Sequence, residues 1–184
     1  MAGEMDAARA TVVEIVRSAL RQANDKRDPR PLRGVETHLR YVVDRVKEQD
    51  NEAAANLCGS LDYYLDMSGD LRGALPYSQS ALAIRERVLG PEHPDTAQSL
   101  NNLADLLQAQ GDLAGARPLL ERALAIRERV LGPEHPDTAI SYVNFGMLLA
   151  NLGEKEKARA LLERAAAVFL ARLGPDHQYT HIAL

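Results

Sequence analysis

The sequence has 184 residues with a net charge of −4, and 46% of its residues are hydrophobic although only 4% are aromatic. This composition excludes a disordered chain and indicates an interior filled by aliphatic side chains, while a pI of about 5.7 argues against a nucleic-acid partner. No apolar run could span a membrane, Cys58 has no second cysteine to pair with, and no secretory signal opens the chain, so we expect a cytoplasmic protein without a membrane partner.

Two helices are predicted within residues 1–50. The spacing of Val12, Ile15 and Val16 predicts a helix over residues 11–24, and a second apolar face predicts another over residues 31–50. Residues 25–29 would form the turn between them. We interpret the pair as a degenerate repeat that caps the N-terminal end. A separate helical hairpin, or the remnant of an upstream domain, is the alternative.

Residues 51–184 are organised by a repeat with a period of 42 residues. The letters ALAIRERVLGPEHPDTA begin at Ala81 and recur unchanged from Ala123, and a degraded third copy begins at Ala165. A fixed period in this range predicts stacked units that bury their apolar faces against one another. We place three units at about residues 55–96, 97–138 and 139–180, followed by a truncated helix.

Each unit is predicted to contain two helices, and the second unit illustrates the pattern. Leu100, Leu103 and Leu107 predict a first helix over residues 95–110, which Gly111 ends. A second helix is predicted over residues 113–131. Small residues recur where the two helices must cross closely. The predicted fold class is therefore all-α.

These residues carry a resemblance to a known family. The spacing is that of the tetratricopeptide repeat at Leu100, Leu103, Ala104, Leu107, Gly111, Ala116, Leu120 and Ala123. The repeat with this longer period resembles the repeats of kinesin light chain. Its amino-acid sequence is similar to that of the C-terminal arrays of bacterial NB-ARC signalling NTPases. The resemblance covers about residues 51–184 and implies a right-handed α-solenoid of helix-turn-helix repeats. HEAT and armadillo repeats have similar periods, but the spacing of small residues argues against them.

The resemblance also implies a surface for a protein or peptide partner. First helices of this family line a concave face, and its groove positions carry over residue by residue to three sets in this sequence. The sets are Asn56, Gly59, Tyr63 and Asp66, then Gln98, Asn101, Asp105 and Gln108, then Ile140, Val143, Met147 and Ala150. We therefore expect a protein-protein interaction scaffold. The sets contain no Lys or Arg, which argues against a receptor for carboxylate tails of chaperones.

Two features of these sets leave alternatives open. The carboxamide of Asn101 is interpreted either as a hydrogen-bonding group for an extended peptide or as an ordinary surface side chain. The third set is apolar, unlike the polar face of a solvated helix. It indicates a binding face, a surface that an adjoining element covers, or a more deeply buried end of the array.

Residues that could carry chemistry have simpler explanations. The sequence has no phosphate-binding loop and no catalytic motif, so we expect no enzyme and no cofactor. Cys58 is predicted to be a core filler. The recurring histidines, His93, His135 and His177, would lie too far apart to share a metal ion and are predicted to act where helices begin. The alternating charges of residues 85–87 and 127–129 are interpreted as solvated helix faces.

The C-terminal residues 178–184 are predicted to begin a further first helix that no second helix covers. The chain is then either a piece of a longer array or a molecule whose end docks on a partner or a second copy. An uncovered end would favour a homo-oligomer. The alternative function is therefore that of a regulatory or sensor part of a signalling ATPase, acting by self-assembly.

Overall fold

The structure is a computed structural model that describes residues 2–175 and 177–178, with side chains from residue 10 onwards. Every regular element in this part of the chain is helical. The helices are α1 (Ala2–Lys26), α2 (Glu36–Val46), α3 (Glu52–Met67), α4 (Leu71–Val88), α5 (Pro94–Ala109), α6 (Leu113–Val130), α7 (Pro136–Asn151) and α8 (Lys155–Leu173). The prediction of an all-α array of helix-turn-helix units is confirmed. The truncated helix predicted from residue 178 lies outside the described residues, apart from residue 178 itself.

The first two helices differ in length from their predictions. Helix α1 begins at Ala2 rather than near residue 11. The stretch predicted as one helix over residues 31–50 contains the shorter α2 between two 3₁₀ segments, Arg30–Val35 and Lys47–Gln49. Pro31 removes a backbone donor at the start of this stretch, and Asp50 adopts a left-handed φ of 44° at its end. Pro31 is compatible with a first helical turn, and the left-handed Asp50 ends the helical stretch.

Side-chain caps explain where the later helices begin. Asp70 and Asp112 accept hydrogen bonds from the backbone N–H groups of Gly73 and Gly115, at 2.9 and 2.8 Å, and so cap α4 and α6. The first helices of the repeats end at glycines, such as Gly111 with a φ of 85°, a conformation that residues with a Cβ rarely adopt. The turn within each repeat is therefore fixed by local sequence.

The structure divides into two compact units, of which unit 1 is Met1–Leu89. Its interior lies between α3 and α4, with α1 and α2 packed on α3. Leu57, Leu61, Tyr64 and Leu65 of α3 are fully buried, as is Leu20 of α1. The amide nitrogen of Asn24 donates to the Ser60 carbonyl at 2.9 Å and ties α1 to α3.

Unit 2 is Gly90–Leu184 and contains α5 to α8. Helix α5 pairs with α6 and α7 pairs with α8, while α6 packs on α7 and α5 also touches α7. One core cluster joins Leu124 of α6, Tyr142 of α7 and Phe169 of α8. This packing makes α5 and α7 neighbouring first helices. No helix among the described residues of either unit is long and apolar enough to cross a membrane.

Candidate protein-binding surface

Helix α3 presents the predicted groove residues of unit 1 on an exposed face. Asn56, Tyr63 and Asp66 are exposed, whereas Gly59 is half-buried. The Arg85 guanidinium, from α4, donates to the Asn56 side-chain oxygen at 2.6 Å. An arginine of a second helix therefore reaches the surface that the first helix was predicted to supply alone.

A buried acid lies directly behind this face. Asp62 is 5% exposed and its side chain is hydrogen-bonded to Ser78 of α4. The pKa of the Asp62 carboxyl is raised to about 7, chiefly by burial and in part by the nearby charge of Asp66, although the Ser78 hydrogen bond opposes this shift. Sequence reasoning missed Asp62. The repeat itself could have revealed it, because Asp62 lies 42 residues before Ala104, at a position where a small apolar residue is usual.

The second set of groove residues lies on α5 in unit 2 and divides into surface and core positions. Gln98 and Asp105 are exposed and Gln108 is half-buried. Asn101 is 1% exposed, and its amide nitrogen donates to the Ser141 hydroxyl of α7 at 3.1 Å. Both interpretations of its carboxamide assumed an exposed side chain, whereas Asn101 is buried where the two first helices meet.

Arg127 of α6 connects this surface to the interior. It is 3% exposed, and its guanidinium donates to the Gln98 side-chain oxygen at 2.5 Å, the Asp137 carbonyl at 2.9 Å and the Ser141 hydroxyl at 3.0 Å. Burial lowers the pKa of Arg127, while Asp137 and Asp95 oppose this shift. The interpretation of residues 127–129 as a solvated face is wrong at this residue, because the guanidinium is enclosed by neutral hydrogen-bond acceptors.

The third set, on α7, is apolar but unevenly exposed. Met147 is 55% exposed and Ala150 is also exposed. Val143 is buried in the cluster with Tyr142 and Phe169, and half-buried Ile140 packs against that cluster. Part of the apolar character is therefore core packing, and Met147 remains as the large apolar side chain on the surface.

The residues considered for chemistry have structural roles. His93 and His135 each precede a helix, and their Nδ1 atoms accept hydrogen bonds at 3.1 Å from the backbone N–H groups of Asp95 and Asp137. Cys58 is fully buried, and desolvation raises the pKa of its thiol to about 11, as expected for a core filler. The described residues contain no group of three His, Cys, Asp or Glu side chains that could hold a metal ion.

Comparison with known proteins identifies the repeat. A family model described as Tetratricopeptide repeat matches residues 63–128 and 100–171, which together span more than half of the chain. The chain belongs to the tetratricopeptide repeat family. It is also 38% identical over 63 residues to the clustered mitochondria protein of Arabidopsis thaliana, a match that covers 34% of this chain and 4% of that protein. The chain thus corresponds to a small part of that relative.

Solved structures share the fold over nearly the whole chain. A Podosopora anserina protein described as a kinesin light chain with nearly identical TPR-like repeats gives a TM-score of 0.73, at 22% identity over 93% of this chain and 81% of that chain. BtubC (BKLC) from P. vanneervenii gives 0.68, at 19% identity over 97% of this chain and 86% of that chain. These TM-scores show that the repeats share a fold with both structures.

Proposed function

We propose that this chain is a scaffold that binds a peptide or protein partner through the exposed faces of its first helices. Membership of the tetratricopeptide repeat family supports this proposal, since its repeats generally mediate protein-protein interactions. The observation that carries it is the contact between α5 and α7 in unit 2. It places exposed Gln98 and Asp105 on the helix next to the one that presents Met147, and so combines polar and apolar contacts on neighbouring helices.

The exposed side chains of this surface indicate what kind of peptide segment could bind it. Met147 offers a flexible, polarisable apolar contact, which suits an apolar side chain of a ligand. Gln108 offers a carboxamide, which both donates and accepts hydrogen bonds. In unit 1, the half-exposed ring of Tyr63 lies on the same helix as the Asp66 carboxylate. Both surfaces therefore fit a segment that alternates apolar side chains with hydrogen-bonding or basic groups.

The test compares two equally exposed apolar residues of unit 2. Met147 on first helix α7 is 55% exposed, and Leu170 on second helix α8 is 51% exposed. Partners are captured with the intact chain and identified, and their affinities for Met147→Asp and Leu170→Asp are then measured. We expect Met147→Asp to weaken binding at least about tenfold and Leu170→Asp to leave it unchanged, because a buried interface residue is costly to replace by a charge.

A matching test addresses unit 1, where Tyr63→Ala is compared with Arg72→Ala, a change of an exposed residue on the second helix α4. Circular dichroism confirms that all four variants remain helical. If neither Met147→Asp nor Tyr63→Ala alters the affinity of any identified partner, the first-helix faces are not the binding surface.

Self-association through the C-terminal end stays a prediction, as does the role of a regulatory part of a signalling ATPase. Sedimentation velocity over a wide range of protein concentrations tests both. A sedimentation coefficient that rises with concentration is expected if copies assemble. A monomer at the highest concentration would contradict assembly.

A further inference from the structure

Unit 1 carries a second apolar surface, formed by the outer sides of α1 and α2. The two helices enclose an open groove of about 470 Å³ lined by Val12, Val13, Tyr41, Val42, Arg45, Val46 and Gln49. Val12 is 47% exposed, Ile15 on the same helix is 62% exposed and Tyr41 is 60% exposed. This surface is separate from the α3 face discussed above.

The equivalent positions in the later repeats are buried. One period after Val12 and Ile15 lie Ala54 and Leu57 of α3, which are 0% and 1% exposed. Three periods after them lie Thr138 and Ser141 of α7, which are 0% and 1% exposed. Positions that are closed in later first helices are therefore open in α1.

In unit 2 the covering element is a helix. Helix α6 packs on α7, and Arg127 of α6 contacts both equivalent positions. The Arg127 guanidinium donates to the Ser141 hydroxyl at 3.0 Å, and the Thr138 hydroxyl donates to the Arg127 carbonyl at 3.3 Å. The exposed Val12 and Ile15 of α1 therefore occupy the positions that a neighbouring helix covers in unit 2.

A recurring ion pair within the later repeats shows that Arg45, at the rim of the groove, lacks the carboxylate that its equivalents have. Arg87 of α4 pairs with Asp50, and one period later Arg129 of α6 pairs with Glu92. Arg45 is the equivalent residue of α2, but the position of the acid is Ala8 in the sequence. Among the described side chains, Arg45 has the Tyr41 ring as its neighbour, 5.4 Å from guanidinium carbon to ring centroid, and no carboxylate within ion-pair distance.

We propose that the groove between α1 and α2 docks an amphipathic α-helix of a partner protein that carries an acidic side chain for Arg45. Apolar residues of that helix, spaced three or four apart, cover Val12, Ile15 and Tyr41. Its Asp or Glu supplies the carboxylate that the other repeats contain within their own sequence. Such a pair at the rim of an apolar groove contributes specificity in addition to affinity.

The test is a selection from a phage-displayed library of short helical peptides against the intact chain. Enriched peptides are synthesised and titrated against the wild type, Ile15→Asp, Arg45→Glu, Met147→Asp and Arg72→Glu. Arg72, an exposed arginine of α4, is the matched control for charge reversal. We expect enriched peptides to be amphipathic and acidic, and to bind Ile15→Asp and Arg45→Glu at least about tenfold more weakly but Arg72→Glu unchanged.

A charge exchange then identifies the contact. Replacing the acidic residue of the peptide by Lys should weaken binding to the wild type and restore binding to Arg45→Glu. Circular dichroism of Ile15→Asp should match the wild type, since Ile15 is a surface residue.

Three results would overturn the docking proposal. One is peptides whose affinity responds to neither Ile15→Asp nor Arg45→Glu. Another is peptides that respond only to Met147→Asp, which would support the first-helix surface instead. The third is a dimer of the chain that Ile15→Asp dissociates, because the groove would then hold a second copy.

Discussion

Asp62 places a carboxyl group at a helix crossing where the following repeats have Ala104 and Gly146. Its partner Ser78 likewise stands where the next repeat has the buried Leu120. One polar pair therefore replaces one apolar contact. The Ser78 hydrogen bond favours the ionised carboxylate, but burial leaves that form poorly solvated and so favours the protonated acid.

We expect the stability of the chain to fall as the pH rises from about 4 to about 7 through Asp62. The folded-state pKa of about 7 exceeds the ordinary value of 3.8, so the native chain binds more protons than the unfolded chain in this interval. Urea unfolding of the wild type and Asp62→Asn measures the effect, which is at most about 4 kcal/mol. The carboxamide of the variant stays neutral at every pH, so the difference between the two proteins should grow in the variant's favour as the pH rises. An equal difference at both ends of the interval would show that Asp62 does not titrate there.

Arg127 and Arg129 allow a buried and an exposed arginine to be compared on one helix. Arg127 is 3% exposed with three acceptors, whereas the Arg129 side chain is 62% exposed and pairs with Glu92. We expect Arg127→Ala to lower the free energy of unfolding by about 3 kcal/mol, because it leaves buried acceptors unpaired. Arg129→Ala should cost less than about 1 kcal/mol, as is usual for surface ion pairs. Thermal and urea unfolding measure both, and equal losses would mean that Arg127 is in effect solvated.

At the scale of elements, the start of α8 differs from the starts of α4 and α6, which are capped in the same way. Asp112 caps α6, and Gly115 follows it at the third helical position. At the start of α8 the equivalent residues are Glu154, which makes no cap hydrogen bond, and Lys157, which donates to the Glu154 carboxylate at 2.7 Å. A Cβ on Gly115 would lie against the Asp112 carboxylate, so the glycine is part of the cap.

A double-mutant cycle tests this coupling. Gly115→Ala alone should leave stability unchanged or reduce it, because a gain in helix propensity of roughly 0.5–1 kcal/mol is opposed by displacement of the cap. In the Asp112→Ala background the cap is already absent, and the same change should stabilise by about that amount. Thermal unfolding of the four proteins gives the coupling free energy. An identical effect of Gly115→Ala in both backgrounds would contradict the role assigned to the glycine.

The sequence predicted most of the helices because their signals are local. The glycines at residues 69, 111 and 153, the prolines at residues 94 and 136, and the apolar spacing each act within one turn of a helix. The burial of Asn101 and Arg127 was not predictable in this way. Their partners Ser141 and Gln98 lie 40 and 29 residues away, so their environment depends on how helices pack. Arg85 and Arg127 contact equivalent positions one period apart, Asn56 and Gln98, and Arg127 also donates to Ser141 of the next first helix.

At the scale of the whole molecule, the fixed period predicts that a repeat can be removed if the register is preserved. Deletion of residues 97–138 joins Thr96 to Ala139, which restores the Thr-Ala step found at both boundaries. We expect the shortened chain to keep its fractional helicity and to unfold cooperatively at a lower temperature, since stability in such arrays accumulates from neighbouring repeats. Deletion of residues 97–130 is the control, because it joins Thr96 to Leu131 and breaks the register. Circular dichroism against temperature compares them, and equally sharp transitions would show that the period is not required.

The Gln98 side chain makes two hydrogen bonds within unit 2, one to a buried arginine and one to its own helix. Its oxygen accepts from Arg127 at 2.5 Å, and its nitrogen donates to the Asn102 side chain at 2.7 Å. A peptide that formed a hydrogen bond to this oxygen would break its bond to Arg127. The buried guanidinium nitrogen would then be left without an acceptor, at a cost in binding free energy. Peptides that leave the hydrogen bond between Gln98 and Arg127 intact avoid that cost. If partners bind this face, as proposed, those that leave the hydrogen bond between Gln98 and Arg127 intact should bind more tightly than those that break it.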